Sequence, residues 1–363
     1  MWHEVRTAGS NTNQAYLLLK NIMSKRPLIF GTVLSWLALN FVMLLPVAPS
    51  SSAQNIYYPL INHFPLPESV NLANERMPLE HQQVREMLDR EFTIAVWNRA
   101  QVFMWLKRGG RYFPFIESKL TEAGMPLDLK YLAVAESNLI PTARSRKGAV
   151  GTWQFIVKTA RLNGLRVDRT IDERQSLQRS TEAAITYLRR LKGIFGSWTL
   201  ALAAYNCGEV TLEKEIKEQQ VAEYYRLNLP LETERFIYRI AAIKVVMENP
   251  GRYGYNIAPQ HLYEPIHYDT VQVAVDTSIH LTNIAKALDV DVKVIKEMNL
   301  HIFGYKLPKG SYNVYVPPGF GPKLVEVLSR FDTVALLKEK ADPDRYVVVQ
   351  PRDRKSSGAP RIH

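Results

Sequence analysis

The chain has 363 residues, 46% hydrophobic and 22% charged, the balance of a globular protein with room for two domains. Its formal charge of +11 favours anionic partners, but without zinc-finger spacing or an arginine-rich recognition run, no nucleic acid is expected. A single cysteine, Cys207, excludes an internal disulfide, and eight scattered histidines without an HExxH pattern point to no metal and no cofactor.

In chain order, Ser24-Lys25-Arg26 precedes an apolar run over 27–47, then Pro49, three serines and Ala53. A basic start, an apolar core and a small-residue exit form an export leader, either cleaved after Ala53 or kept as a membrane anchor. Met23 is an alternative start. Residues 1–53 are therefore expected as a leader and 54–78, rich in Pro, Asn and Tyr, as a linker or irregular lead-in. The rest of the chain is expected outside the cytoplasm, in the periplasm or cell envelope.

From 79 to about 249 the apolar spacing is helical almost throughout. One helix is expected over 82–107, broken by Gly109-Gly110, and a second over 113–123, ended by Gly124. Pro126 and Asp128 open a third, carrying "LAVAESNL" and stopping at Pro141. A short helix is expected from Trp153, then helices over 181–195, 198–206 (capped by Ser197) and 232–248. Phe236, Ile240, Ile243 and Met247 form the apolar stripe of the last. Beyond it, alternation over 268–275 and 312–316 reads as two strands enclosing helices over 281–288 and 292–299, a small βααβ module. "RYVVVQP" in the tail reads as one more strand. The fold class expected is mainly α, a helical domain over 79–255 followed by an α+β module over 260–320 and a tail over 321–363.

Leu129, Leu132 and Glu136 share a helix face, so Glu136 follows two leucines toward the interior. Burial raises a carboxyl pKa, and a protonated Glu beside a cleft is a general acid for near-neutral pH. The plainer reading is a structural ion pair. The neighbourhood favours chemistry. "SRKGAVGTWQ" brings Ser145, Gly148, Gly151, Trp153 and Gln154, two glycines for close backbone approach with an apolar plate and an amide suited to sugars. "AAYNCG" puts Tyr205 and Asn206 at a helix end, and "LPLET" puts Glu232 at a helix start. Singly, each has a packing, helix-stop or first-turn explanation.

Four blocks in this order, "ESNLIPTARS", "GAVGTWQF", "ALAAYNCGE" and "LPLETERFIYRI", resemble the catalytic domain of lytic murein transglycosylases. That is a lysozyme-like fold, here closest to the membrane-bound type D group. The resemblance implies that Glu136 is the sole catalytic acid/base. It implies substrate-binding roles for Ser137, Ser145, Gly151, Trp153, Gln154, Tyr205, Asn206 and Glu232, with Glu232 favoured as a structural partner. Thr152, Cys207 and Phe236 depart from the family's usual large apolar residue, Ala and Tyr. The activity implied is cleavage of the β-1,4 bond between N-acetylmuramic acid and N-acetylglucosamine in peptidoglycan glycan strands, forming a 1,6-anhydro ring without water. A lysozyme-like hydrolase and an inert wall-binding scaffold are the alternatives. The βααβ module resembles a LysM unit, a peptidoglycan-binding fold, or serves as a structural annex. The tail resembles a truncated LysM repeat. The cations of "LKRGGR" and "ARSRK" could face the acidic wall polymer.

Overall fold

The computed structural model describes residues 63–329 and the backbone of 334–336. The apolar run over 27–47, the first part of the expected linker and the expected tail strand lie outside the described residues. Among the described residues no helix is long and apolar enough to cross a membrane. Those from Phe64 onward belong to one compact unit. It is mainly helical with a small strand-containing C-terminal part, the class expected.

Residues 63–78 fold rather than link. Strands β1 (Asn71–Leu72) and β2 (Glu75–Arg76) form a hairpin turned by Ala73 and Asn74 at positive φ. Val70, Leu72 and Met77 are buried in the main core, and the Glu75 carboxylate accepts from the Trp198 and Thr199 amides at a helix start. The apolar alternation is too short to show in a Pro- and Asn-rich segment.

The helix expected over 82–107 is two, α1 (Gln82–Trp97) and α2 (Arg99–Glu122), parted at Asn98. The Asn98 side chain accepts from the Gln101 amide at 3.4 Å and caps α2. Gly109-Gly110 does not break it. A Cβ on Gly110 would lie 2.9 Å from the Leu262 side chain and 3.1 Å from the Tyr263 carbonyl. The glycine is there for a close crossing, sealed where the Tyr263 amide donates to the Lys107 carbonyl at 3.1 Å. Gly124 at φ +65° closes α2 as expected.

A 3-10 turn at Leu127–Leu129 leads into α3 (Lys130–Ser137), which carries Glu136. No helix starts at Trp153. The chain turns there and re-enters helix at α4 (Val157–Leu162). Helices α5 (Leu177–Phe195) and α6 (Trp198–Cys207) follow, with Ser197 accepting from the Leu200 amide at 3.2 Å. Gly208 at φ +89° ends α6, but α7 (Glu209–Gln219) starts at the next residue, where the sequence reads only a stop. Helix α8 (Leu231–Glu248) runs through the centre, packed on α1, α3 and α6. Phe236, Ile240 and Ile243 are buried on it as the periodicity predicts, and Met247 is half-buried.

In the C-terminal part, β3 (Asp269–Val275) and β6 (Gly310–Val316) pair antiparallel, Val273 opposite Tyr312. Strand β7 (Val334–Leu336) flanks β3 on its other side. A second hairpin joins β4 (Ile279–His280) to β5 (Lys306–Leu307). Helices α9 (Leu281–Leu288), α10 (Val292–Met298) and α11 (Gly321–Ser329) complete it. The two central helices stand where the periodicity predicts them. Its separate core of Val273, Ile284, Leu288, Ile295 and Val314 also takes in Ile171 from the helical part. Ile171 bridges to Ile302, the Asp172 amide donates to the His301 carbonyl at 2.8 Å, and the Phe303 amide to the Thr170 carbonyl at 2.8 Å.

Candidate active site

Leu129, at the end of the 3-10 turn, and Leu132 on α3 are buried, and one turn on Glu136 is half-buried on the same side. The helix ends before Pro141, because Asn138 and Leu139 both take left-handed backbone at φ 55° and 58°. Left-handed backbone costs a non-glycine residue on the order of 1 kcal/mol. Asn138 is held there by the Trp105 indole, donating to its side-chain oxygen at 2.8 Å, and by Arg108, donating to its carbonyl at 3.1 Å. Among the described residues no side chain hydrogen-bonds or ion-pairs with Glu136. Burial pushes its carboxyl from an ordinary 4.5 up to about 8, opposed by the charge of Arg239 and aided by that of Glu232. Glu136 is therefore a protonated acid at neutral pH.

The loop after α3 folds mostly onto itself. Ser145 is exposed, and its hydroxyl accepts from the Ala149 amide at 3.0 Å. Gly151, at φ +92°, has its backbone against Arg174, where a Cβ would lie 1.8 Å from the Arg174 carbonyl. The close approach expected of this glycine is thus to the protein itself. Trp153 is 0% exposed, its indole donating to the Thr181 hydroxyl at 3.0 Å. As a plate for a sugar ring the expectation for Trp153 is overturned, since a wholly enclosed indole presents no face. Gln154, at φ 49°, turns its amide back to the Gly151 carbonyl at 2.8 Å and the Ala143 carbonyl at 3.2 Å.

Two side chains tie this loop to the helices. Ser137, buried, donates to the Thr152 carbonyl at 2.8 Å. Tyr205, half-buried on α6, donates to the Trp153 carbonyl at 2.6 Å. Burial, then the Glu136 charge, holds the Tyr205 phenol well above its ordinary value, so it stays a neutral donor. The Asn206 side-chain oxygen accepts from the buried Thr233 hydroxyl at 2.9 Å, joining α6 to the start of α8. Glu232 stands in the first turn of α8 as expected, but its side chain is 67% exposed, 3.7 Å from Lys147. It is not the buried structural partner expected, because the helix start carrying it faces outward with Leu231.

Several residues at the site carry no sequence signal. Arg174 and Asp172, 5% and 2% exposed, pair bidentately at 2.8 Å. Arg174 also donates to the Phe155 carbonyl at 3.0 Å and the Gly148 carbonyl at 3.1 Å. Glu91, buried on α1, receives Arg235 at 2.7 Å and Arg239 at 3.6 Å from α8. Helical or strand periodicity marks apolar faces, so a charged pair within an irregular segment escapes it. Of the expected basic patches, Lys107 and Arg111 lie over the Tyr263 ring and Arg108 donates to the Asn138 carbonyl, while Arg144, over the Phe303 ring, Arg146 and Lys147 are exposed.

The site is a lone raised carboxyl on a buried helix, braced by a glycine-dependent loop and by hydroxyls from two other helices. The segment that carries it is similar to known proteins. Residues 113–228 match the family model "Transglycosylase SLT domain". Over 263 residues it is 27% identical to membrane-bound lytic murein transglycosylase D of Escherichia coli strain K12. That alignment covers 71% of this chain and 56% of the relative, so the chain spans little more than half the relative's length. It is also 41% identical over 83 residues to peptidoglycan transglycosylase gp16 of Escherichia phage T7, covering 22% of this chain and 6% of that protein.

Proposed function

We propose that this chain is a peptidoglycan lytic transglycosylase of the cell envelope, with Glu136 as its one acid/base. The observation that carries the reading is the state of Glu136, half-buried, with no hydrogen-bonding or ion-pairing side chain among the described residues, and raised to about 8. Protonated Glu136 donates to the oxygen leaving the muramic acid C1. The carboxylate so formed takes the proton of the C6 hydroxyl of the same sugar, whose oxygen bonds to C1 and closes the 1,6-anhydro ring. The proton count balances and no water enters. Glycosidases that use water need a second carboxylate on the opposite side of the sugar. Glu232 is the second carboxylate whose charge acts on Glu136, and its engagement with Lys147 supports an electrostatic role. Within this reading Ser137, Tyr205 and Gln154 hold the loop and helix ends that shape the groove. Gly151, Trp153 and Asn206 support it from behind, Ser145 shapes the exposed turn before the loop, and Arg146 and Lys147 meet the acidic polymer. The 260–320 module is read as an annex to the catalytic domain, supported by the backbone pairing of Ile171 with Ile302. Envelope location rests on the leader-like residues 24–53.

The test is release of soluble fragments from purified peptidoglycan by the full chain and by Glu136→Gln. Wild type should clear the suspension, and the variant should be slower by a factor of about a thousand or more, the scale of losing a general acid. Clearing by both at the same rate would sink the assignment of Glu136.

A further inference from the structure

We propose that the buried Asp172–Arg174 pair is a positioning device for Glu136, acting through the loop over 148–155 and anchored from behind by the C-terminal module. The inference rests on the catalytic reading of Glu136, and its geometry forms an unbroken chain of contacts. The 301–303 segment fixes 170–172 by backbone pairing, with the Asp172 amide on the His301 carbonyl and the Phe303 amide on the Thr170 carbonyl, each at 2.8 Å. The Asp172 carboxylate then holds the Arg174 guanidinium bidentately at 2.8 Å, both side chains almost fully buried. From there Arg174 reaches both ends of the loop, donating to the Gly148 and Phe155 carbonyls at 3.1 and 3.0 Å. In the middle of the loop, Gly151 lies so close against the Arg174 backbone that a Cβ would meet its carbonyl at 1.8 Å. The next two residues present their carbonyls to the site, Thr152 to Ser137 at 2.8 Å and Trp153 to Tyr205 at 2.6 Å. Ser137 is the residue after Glu136, and Tyr205 is close enough for the Glu136 charge to act on its phenol.

The chemistry suits this use. A planar guanidinium can satisfy a carboxylate and two carbonyls at once in fixed directions, which an ammonium cannot do. The pair sits between a mostly buried loop and a separately cored module, where a flexible connection would let the two move independently. With it, the C-terminal module becomes part of the catalytic unit rather than a tethered accessory.

The test uses the full chain. In wild type, amide hydrogen exchange at Val150 and Gly151 should be as slow as in the α5 core. Exchange at the rate of an open loop would overturn the clamp without any variant being made. Arg174→Lys and Asp172→Asn then test the coupling. Both should speed exchange at Val150 and Gly151 at least tenfold while α5 is unchanged. Both should lower turnover at least tenfold with KM changed less than threefold, well below the melting temperature. The decisive readout is the Glu136 titration, followed by carboxyl carbon NMR and assigned with Glu136→Gln. Loosening the loop admits water, so the midpoint should fall by a unit or more, with Arg239, Glu232 and Tyr205 still facing the group. A role confined to global stability would lower the melting temperature and leave that midpoint in place, which would overturn the proposal. If wild type cleaves nothing yet the midpoint moves in the variants, the lytic reading fails and the positioning stands.

Discussion

The Tyr205 hydroxyl donates to the Trp153 carbonyl at 2.6 Å, fastening the end of α6 to the loop that follows the helix carrying Glu136. The contact places a polar tyrosine beside Glu136 without spending its proton on the carboxyl. Tyr205→Phe keeps the ring packing against Phe155 and Tyr187 and removes that donor. It leaves the Trp153 carbonyl unpaired in the interior, which should cost roughly 1–3 kcal/mol of stability in denaturant unfolding. Turnover should fall with it. Unchanged stability would mean that water or another donor satisfies the carbonyl.

Two glycines in the loop over 148–155 make a controlled comparison. Both have positive φ, but a Cβ on Gly148 meets nothing within 4 Å, whereas on Gly151 it meets the Arg174 carbonyl at 1.8 Å. Gly148→Ala should cost about 1 kcal/mol, the strain of left-handed backbone alone. Gly151→Ala should cost at least about 3 kcal/mol, because backbone must move to admit the methyl. Equal losses in denaturant melts would refute the close approach.

Glu136 is raised from 4.5 to about 8 chiefly by burial, which sets a sign for stability against pH. Below 4.5 the carboxyl is protonated in both folded and unfolded chains and makes no difference. Between 4.5 and about 8 the unfolded chain gives up the proton first, so stability falls as pH rises. Glu136→Gln cannot ionise. It should therefore melt higher than wild type at pH 8, by a difference on the order of 2 kcal/mol after allowance for partial exposure, and level with it at pH 4. A variant less stable than wild type at pH 8 would contradict the burial argument.

Arg239 and Glu232 push the Glu136 proton in opposite directions, the first lowering its pKa and the second raising it. Activity that needs the protonated acid falls as pH rises through that pKa. Arg239→Met should move the alkaline limb of kcat/KM up by roughly half to one pH unit, and Glu232→Gln should move it down by a similar amount. Glu91 keeps its contacts to Arg90 and Arg235 in the first variant, so the fold should survive. Limbs that move together, or not at all, would show that another group controls the profile.

Much of this site is legible in the residues themselves. Leu129 and Leu132 give the buried face, and the spacing to Glu136 puts a carboxyl on it. The helices over 281–288 and 292–298 follow their apolar periodicity. What escapes the sequence is what depends on distant packing. Gly109-Gly110 reads as a break because the Leu262–Tyr263 segment crossing it is more than a hundred residues away. Trp153 reads as an apolar plate for a sugar because nothing local shows that its indole donates to the Thr181 hydroxyl. The Asp172–Arg174 pair carries no signal, since polar residues in an irregular segment have no period by which burial could be inferred.

The mass of the fragments released from purified peptidoglycan tests the central claim most directly. The account predicts disaccharide-peptides one water lighter than those a muramidase yields, made by wild type and not by Glu136→Gln. Fragments of full hydrated mass would contradict it, because water would then have attacked C1 and a second carboxylate, Glu232 first, would have to activate it.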